Sequence, residues 1–187
     1  AGLPEAVQDV LARAATSAGR TFTVRYDLAV AGSTTITQDP PRRRVELVLG
    51  SGPTATTRLT ITNDEGTFAC TRNEGTWTCR KTTPAADDAG PLAIGDIERT
   101  TADLAEARRA YTFRVESRTI AKTKARCLIT ELRPGQPPDP ARGARGVLCV
   151  APEGVPLLIE GGQTSVKATS YRAEADASAF RLPAKAS

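Results

Sequence analysis

Two of the four cysteines stand at positions where a β-hairpin would bring them face to face. If Glu74-Gly75 forms a two-residue turn, the antiparallel register pairs Arg72 with Trp77 and Cys70 with Cys79. Directly opposed residues on antiparallel strands have Cβ atoms about 4.5–5.5 Å apart, which a small adjustment shortens to disulfide geometry. The spacing therefore predicts a hairpin closed by a Cys70–Cys79 disulfide.

The other two cysteines, Cys127 and Cys149, flank a stretch rich in proline and glycine. Because proline lacks an N–H donor, this stretch cannot be a helix or a central strand. We predict a long loop that joins a strand at Ala125–Leu132 to one at Val147–Ala151, with a Cys127–Cys149 disulfide at its base. Closing a loop of this size stabilises the fold by about 3 kcal/mol. The next residues, 151–154, have the pattern of a tight turn whose glycine takes a positive φ.

The chain contains no histidine and no Cys-x-x-Cys pair, which excludes the common zinc-binding patterns. Disulfides in an oxidising compartment are the natural use of four cysteines, and four buried free thiols are the alternative. Methionine is also absent, so we expect that Ala1 is not a translational start and that a leader has been removed. These features predict a secreted or periplasmic, extracytoplasmic location.

Hydrophobic periodicity divides the chain into segments. Pro4 and an apolar stripe that starts at Val7 predict an N-terminal helix over 4–18. An alternation with a period of two begins at Phe22 and predicts strands over 21–81. A connection and a second helix occupy 82–110, and this helix ends in Arg108-Arg109, which suits the helix dipole. Further strands fill 111–180, the last at Ala177–Phe180.

This order of elements predicts one α+β domain over 1–187, in which helices cover the apolar face of an antiparallel sheet. Two small domains that divide near Thr82–Gly95 are the alternative, and each would then be a bare sheet.

Seven short motifs, spread over most of the chain, occur in an order that is similar to that of a known family. The motifs are the Phe22–Val30 strand, Pro41–Leu47, the Cys70/Cys79 hairpin, Ile120–Cys127, Leu148–Val150, Gly154–Leu157 and Phe180–Ala184. Together they resemble the lipoprotein-carrier (LolA/LolB-like) superfamily, and more closely a group of uncharacterised bacterial envelope lipoproteins with the same layout.

The resemblance implies a curved antiparallel sheet forming an incomplete β-barrel, or half-barrel, with helices covering its concave apolar face. Members of the superfamily hold acyl chains or lipidated partners there. Many are anchored to the cell membrane by a lipidated N-terminal cysteine. No cysteine precedes Cys70, so such an anchor would be absent from this chain.

No pattern of catalytic residues is present. Without histidine there is no Ser-His-Asp triad, and the sequence lacks a G-x-S-x-G motif, a P-loop and a complete G-x-G-x-x-G. We therefore predict no enzyme activity, no cofactor and no metal site. Nucleic-acid binding is not expected either, because the net charge is only +4 and the few aromatic residues fall at buried strand positions.

The leading functional hypothesis is the binding of a lipid or other hydrophobic small molecule by apolar strand faces. The candidate lining residues are Leu47, Leu49, Leu59, Ile61, Phe113, Val115, Leu157 and Ile159. For any single position, ordinary core packing is an equally good interpretation.

Two other surfaces have potential partners. Arg42, Arg43 and Arg44 form a run that would attract anionic headgroups at a membrane surface, at about 1 kcal/mol each; a solvated strand entry is the alternative. If the core is filled, the chain is instead a structural or protein-interaction domain of an envelope lipoprotein. Its exposed loop Arg133–Gly146 would then contact the partner.

Overall fold

The computed structural model describes residues 2–28, 32–83, 97–137, 143–162 and 164–186. The helices in this part of the chain are α1 (Glu5–Thr16) and α2 (Ile97–Ala107). The strands are β1 (Phe22–Leu28), β2 (Gly32–Asp39), β3 (Arg42–Leu49), β4 (Thr56–Asn63), β5 (Gly66–Asn73), β6 (Thr76–Thr82), β7 (Tyr111–Ile120), β8 (Thr123–Leu132), β9 (Arg145–Val150), β10 (Pro156–Gly161) and β11 (Thr164–Arg172).

The strands form one sheet, and every pair whose register is described is antiparallel. The hydrogen-bonded order is β6-β5-β4-β3-β2-β1-β11-β10-β9-β8-β7. Strands that are consecutive in the sequence are neighbours in the sheet, except that β6 and β7 form its two edges and β1 lies beside β11. The order has two ends, the edge strands β6 and β7, so the sheet is not closed into a barrel.

The predicted fold class is therefore wrong. The sequence predicted an α+β fold: a curved antiparallel sheet forming an incomplete β-barrel, with helices covering its concave apolar face. The structure is instead a mostly-β fold with one open sheet. The two helices of the described part have 12 and 11 residues, which correspond to about 18 Å and about 17 Å of helix. Helices of this length cover only a few strands, and they do not supply the cover predicted for the whole sheet.

The chain divides into two compact units. The first unit comprises residues 1–18 and 92–168, which include both helices, β7–β10 and the start of β11. The second comprises residues 19–91 and 169–187, which include β1–β6 and the end of β11. The single-domain boundaries predicted from sequence stay a prediction.

In the first unit, α1 packs against β7, β8, β9 and α2. The apolar stripe of α1, which includes Val7, Val10 and Leu11, is almost completely buried, and it contacts Leu128 of β8 and Val150 of β9. The 3.6-residue spacing of the stripe predicts this buried face, and the opposite face of α1 remains exposed. The predicted helix over 4–18 thus ends as an α-helix at Thr16, followed by a single 3-10 turn.

In the second unit, one apolar face of β4–β6 is covered by the C-terminal segment 173–186, and no α-helix of the described residues takes that place. Leu59, Phe68 and the disulfide cysteines form a buried cluster, against which Trp77 and Leu182 pack. Residues Ala177–Phe180 form a 3-10 helix and not the predicted strand. The reason is local, because the Asp176 side chain accepts a hydrogen bond from the Ser178 backbone N–H at 2.8 Å and caps a helical turn.

Both disulfides connect the predicted pairs. Cys70 lies opposite Cys79 on β5 and β6, and Cys127 lies opposite Cys149 on β8 and β9. All four cysteines are buried. The predicted connection over 82–95 falls mostly on residues 84–96, which lie outside the described residues.

No helix in the described ranges is long and apolar enough to cross a membrane.

Candidate functional site

The strand register separates the lining residues that were predicted in the second unit. Cross-strand pairing places Leu47 opposite Arg58, whereas Leu59 lies opposite Glu46. Since side chains alternate between the two faces of a sheet, Leu47 and Leu49 share one face, and Leu59 and Ile61 share the other. The latter two are 2% and 0% exposed within the cluster under the C-terminal segment, whereas Leu49 is 37% exposed. These four residues do not form one apolar wall.

The predicted lining residues of the first unit lie closer to a common face of the sheet than those of the second unit. Pairing runs from Val115 to Leu128, from Leu128 to Leu148 and from Leu148 to Ile159, so these residues share a face. Phe113 and Val115 pack against the cluster that α1 buries. Leu157 is fully buried at an irregularity in the pairing of β9 and β10, between Pro156 and Leu158.

A cavity of about 530 Å³ opens in the first unit where α2 ends and β7 begins. One predicted lining residue, Phe113, contributes to its wall. The lining residues are Gly2, Pro4, Arg108, Arg109, Tyr111, Thr112, Phe113 and Arg133. The other seven predicted residues line neither this cavity nor the second one described below.

Three chain segments bring the wall together. The segment before α1 supplies Pro4, the turn from α2 into β7 supplies two arginines, and the end of β8 supplies Arg133. The backbone N–H of Arg133 donates to the carbonyl oxygen of Ala110 at 2.8 Å, which fixes Arg133 beside the turn. The buried Tyr111 donates its hydroxyl to the carbonyl of Gly143 at 2.8 Å, which fixes the ring at the start of β7.

The charge at this cavity has one sign, because three of the described lining residues are arginines and none is acidic. Two acidic side chains of β7 and β8 are paired with arginines outside the cavity wall. Glu116 forms ion pairs with Arg114 and Arg118, and Glu131 forms ion pairs with Arg114 at 3.4 Å and Arg145 at 3.7 Å. Arg114 and Glu131 project from the same face of the sheet as the lining residue Thr112, and they are paired with each other. The hydrogen bond from Arg118 is the largest cause that lowers the pKa of Glu116, and the charge of Arg114 adds to it.

A second cavity, of about 450 Å³, lies in the second unit beside the C-terminal segment. It carries charges of both signs, since Arg42 and Arg181 line it together with Asp64 and Glu65. Internal contacts already engage several of its polar groups: Asn63 donates to the carbonyl of Phe180 at 3.2 Å, and the Arg42 guanidinium lies 4.8 Å from the centre of the Phe180 ring.

The arginine run at 42–44 is divided between the two faces of β3. Arg42 and Arg44 project from the same face as Glu46, and each is partly buried in an ion pair, with Asp39 and Glu46 respectively. The hydrogen bond from Arg42, followed by one from Thr21, lowers the pKa of the Asp39 carboxyl. Arg43 projects from the opposite face. A membrane-surface role for the run stays a prediction.

Sequence reasoning missed the arginines of the first cavity. Arg108-Arg109 was interpreted as a complement to the C-terminal dipole of a helix, and Arg133 as part of a loop. No local charge pattern marked them, because Glu106 precedes Arg108 by two residues and Glu131 precedes Arg133 by two residues. Their proximity depends on the pairing of β7 with β8. The predicted interaction loop Arg133–Gly146 includes residues 138–142, which lie outside the described residues.

Comparison with known proteins adds one remote similarity. No family model matches the chain, and no curated protein matches it. Among solved structures, a DUF1329 family protein from Desulfovibrio piger is similar over 84% of this chain and 74% of that chain, with 9% sequence identity and a TM-score of 0.27. A similarity of this degree supports no inference about function, and the assignment to the lipoprotein-carrier superfamily stays a prediction.

Proposed function

We propose that this chain is a non-enzymatic, extracytoplasmic binding protein that holds a lipid or other hydrophobic molecule in the cavity beside Phe113. The observation that carries the proposal is the cavity itself. Its volume of about 530 Å³ falls in the usual range of small-molecule pockets, about 300–1,000 Å³. Two aromatic residues, Tyr111 and Phe113, are among its lining residues.

The two disulfides support the proposed compartment. Cytosolic thiols are kept reduced, whereas disulfides persist in secreted and periplasmic proteins. Both bonds join buried cysteines on neighbouring strands and are part of the folded core.

The first test is native mass spectrometry of freshly purified protein, with lipid analysis of an organic extract and uptake measurements with dodecanol. Thr112 is the residue to change, because it is exposed, lines the cavity and lies outside the buried cluster. A tryptophan at this position should fill part of the cavity, so we expect Thr112→Trp to weaken dodecanol uptake about tenfold, or about 1.4 kcal/mol.

The matched control is Thr119→Trp, which changes the same residue type at an exposed position on the same strand, away from the cavity. It should leave uptake unchanged. A clean apo mass with no dodecanol uptake would reject the proposal and favour a structural or protein-interaction domain with a filled core.

A further inference from the structure

We infer that the cavity beside Phe113 selects ligands that carry an acidic group, a phosphate or a carboxylate, which the guanidinium groups of Arg109 and Arg133 bind. This inference rests on the proposed function, because it assigns the ligand class of the same site. The favoured ligand is thus an amphipathic anion with an apolar chain and an acidic headgroup.

The first argument is the charge of the wall. The three arginines come from two segments that the fold brings together, and none of the described lining residues is acidic. The side chains of Arg109 and Arg133 are exposed and form no ion pair with the described residues. A mobile anion can therefore approach them without displacing an internal partner.

The end of helix α2 explains only part of this cluster. The last carbonyls of a helix carry partial negative charge, which favours nearby cations, and Arg108 and Arg109 directly follow Ala107, the last residue of α2. Arg133 follows β8 and is not part of this helix end. A hydrogen bond from its own backbone N–H to Ala110 keeps it beside the two other arginines. Helix stability alone gives no reason for this third cation.

The type of cation points to oxyanions. Arginine presents its N–H donors in a planar fork that matches the geometry of phosphate and carboxylate, and it remains charged at any physiological pH. Phe113, Tyr111 and Pro4 lie in the same wall and offer apolar surface to the remainder of the ligand. An anionic headgroup and an apolar chain would each find a complementary part of the cavity.

The test compares three probes on the intact protein by isothermal titration calorimetry: dodecyl phosphate, dodecanol and inorganic phosphate. We expect dodecyl phosphate to bind at least about tenfold more tightly than dodecanol, and this preference to shrink as salt screens the exposed guanidinium groups. The double variant Arg109→Gln/Arg133→Gln should lose the preference while it still binds dodecanol.

A charge-matched control is available in the second unit. Arg72 and Arg80 are exposed strand residues with no ion pair to the described residues, and Arg72→Gln/Arg80→Gln removes the same net charge. This variant should keep the preference for dodecyl phosphate. If it loses the preference as well, the effect is one of net charge and the inference fails.

The outcomes separate the two proposals. Equal affinity for dodecyl phosphate and dodecanol, or an unchanged preference in the Arg109/Arg133 variant, would overturn the acidic-group inference and leave the binding function intact. No binding of either dodecyl probe would overturn the binding function. If inorganic phosphate bound as tightly as dodecyl phosphate, the arginine site would stand as a site for free anions and the lipid assignment would fail.

Discussion

A β-carbon at Gly154 would overlap the backbone oxygen of Arg13, so the turn between β9 and β10 lies directly against the last turn of α1. The turn is closed by hydrogen bonds from Gly154 to Ala151 and from Ala151 to Val155, at 2.9 and 2.8 Å. Its glycine has a φ of +86°, a conformation that L-residues with a side chain rarely adopt. Position 154 therefore requires glycine for two independent reasons.

The first prediction concerns this contact. Gly154→Ala should lower the free energy of unfolding by about 3 kcal/mol or more, because the left-handed backbone costs about 1–2 kcal/mol and overpacking against Arg13 adds about 1–3 kcal/mol. Urea denaturation measures the change.

Gly75 is the matched control, since it has the same φ of +86° and a β-carbon added there would have no other atom within 4 Å. Gly75→Ala should lower the free energy of unfolding only by the cost of the left-handed backbone, about 1–2 kcal/mol. Equal losses in the two variants would show that the contact with α1 contributes nothing.

The second prediction concerns the disulfides. Cys70 and Cys79 are separated by 9 residues, and Cys127 and Cys149 by 22. In the chain-entropy model the longer loop gives the larger stabilisation, about 3.4 against about 2.6 kcal/mol. Replacing both cysteines of a pair by alanine should therefore destabilise the protein more for Cys127/Cys149. Thermal and urea unfolding of the two double variants compare them, and the reverse ranking would contradict loop closure as the main effect.

The third prediction concerns the cover of β4–β6. Phe180 is 3% exposed, and its carbonyl accepts a hydrogen bond from the Asn63 side chain. Phe180→Ala should lower the free energy of unfolding by about 3–5 kcal/mol, the usual cost of removing a buried aromatic ring. Trp77 is the single tryptophan and packs on the neighbouring cluster, so its fluorescence reports unfolding of this unit.

Leu49→Ala is the control for Phe180→Ala, because Leu49 is 37% exposed. It should cost about 1 kcal/mol or less. A small loss for Phe180→Ala would mean that the C-terminal segment is not part of the cooperative core.

The fourth prediction concerns alkaline pH. Burial, with a smaller contribution from Tyr171, raises the pKa of the Tyr26 hydroxyl above its ordinary value. Because the folded state holds this proton more tightly than the unfolded state, the contribution of Tyr26 is fully present below about pH 10 and is lost as the pH rises further. The free energy of unfolding should fall above pH 10 with a slope of up to about 1.4 kcal/mol per pH unit from this group.

Tyr26→Phe removes the ionising hydroxyl, so the free energy of unfolding of this variant should fall less steeply with pH. The other groups that titrate at alkaline pH contribute equally to both proteins and cancel when the two curves are subtracted. Urea unfolding at several values between about pH 9 and pH 11.5 measures the two slopes. Parallel curves would mean that Tyr26 does not hold its proton in the folded state.

Local patterns predicted much of the secondary structure. The hairpin at Glu74-Gly75 forms with both residues at positive φ, and its register pairs Cys70 with Cys79. In β1, buried Phe22, Val24 and Tyr26 alternate with more exposed residues as the period of two requires. These features depend on residues that are neighbours along the chain or across a single turn.

The fold class and the cavity could not be predicted in the same way. The apolar face of β4–β6 needs a cover, and the sequence does not state whether a helix or the C-terminal segment supplies it. The predicted lining residues of β3 and β4 come from both faces of the sheet, because Leu47 and Leu59 look equivalent until the register between their strands is known. Arg133 and Arg109 are likewise distant in sequence, and only the pairing of β7 with β8 brings them to one cavity.

The sequence by itself thus determined the disulfide pairs, the strand-rich composition and the glycine turns, since each is governed by short-range sterics and hydrogen-bond register. Only the tertiary structure decided which segment buries each apolar face, and that three arginines line one cavity. Those outcomes depend on hydrophobic burial between segments far apart in the chain, for which one sequence allows several arrangements.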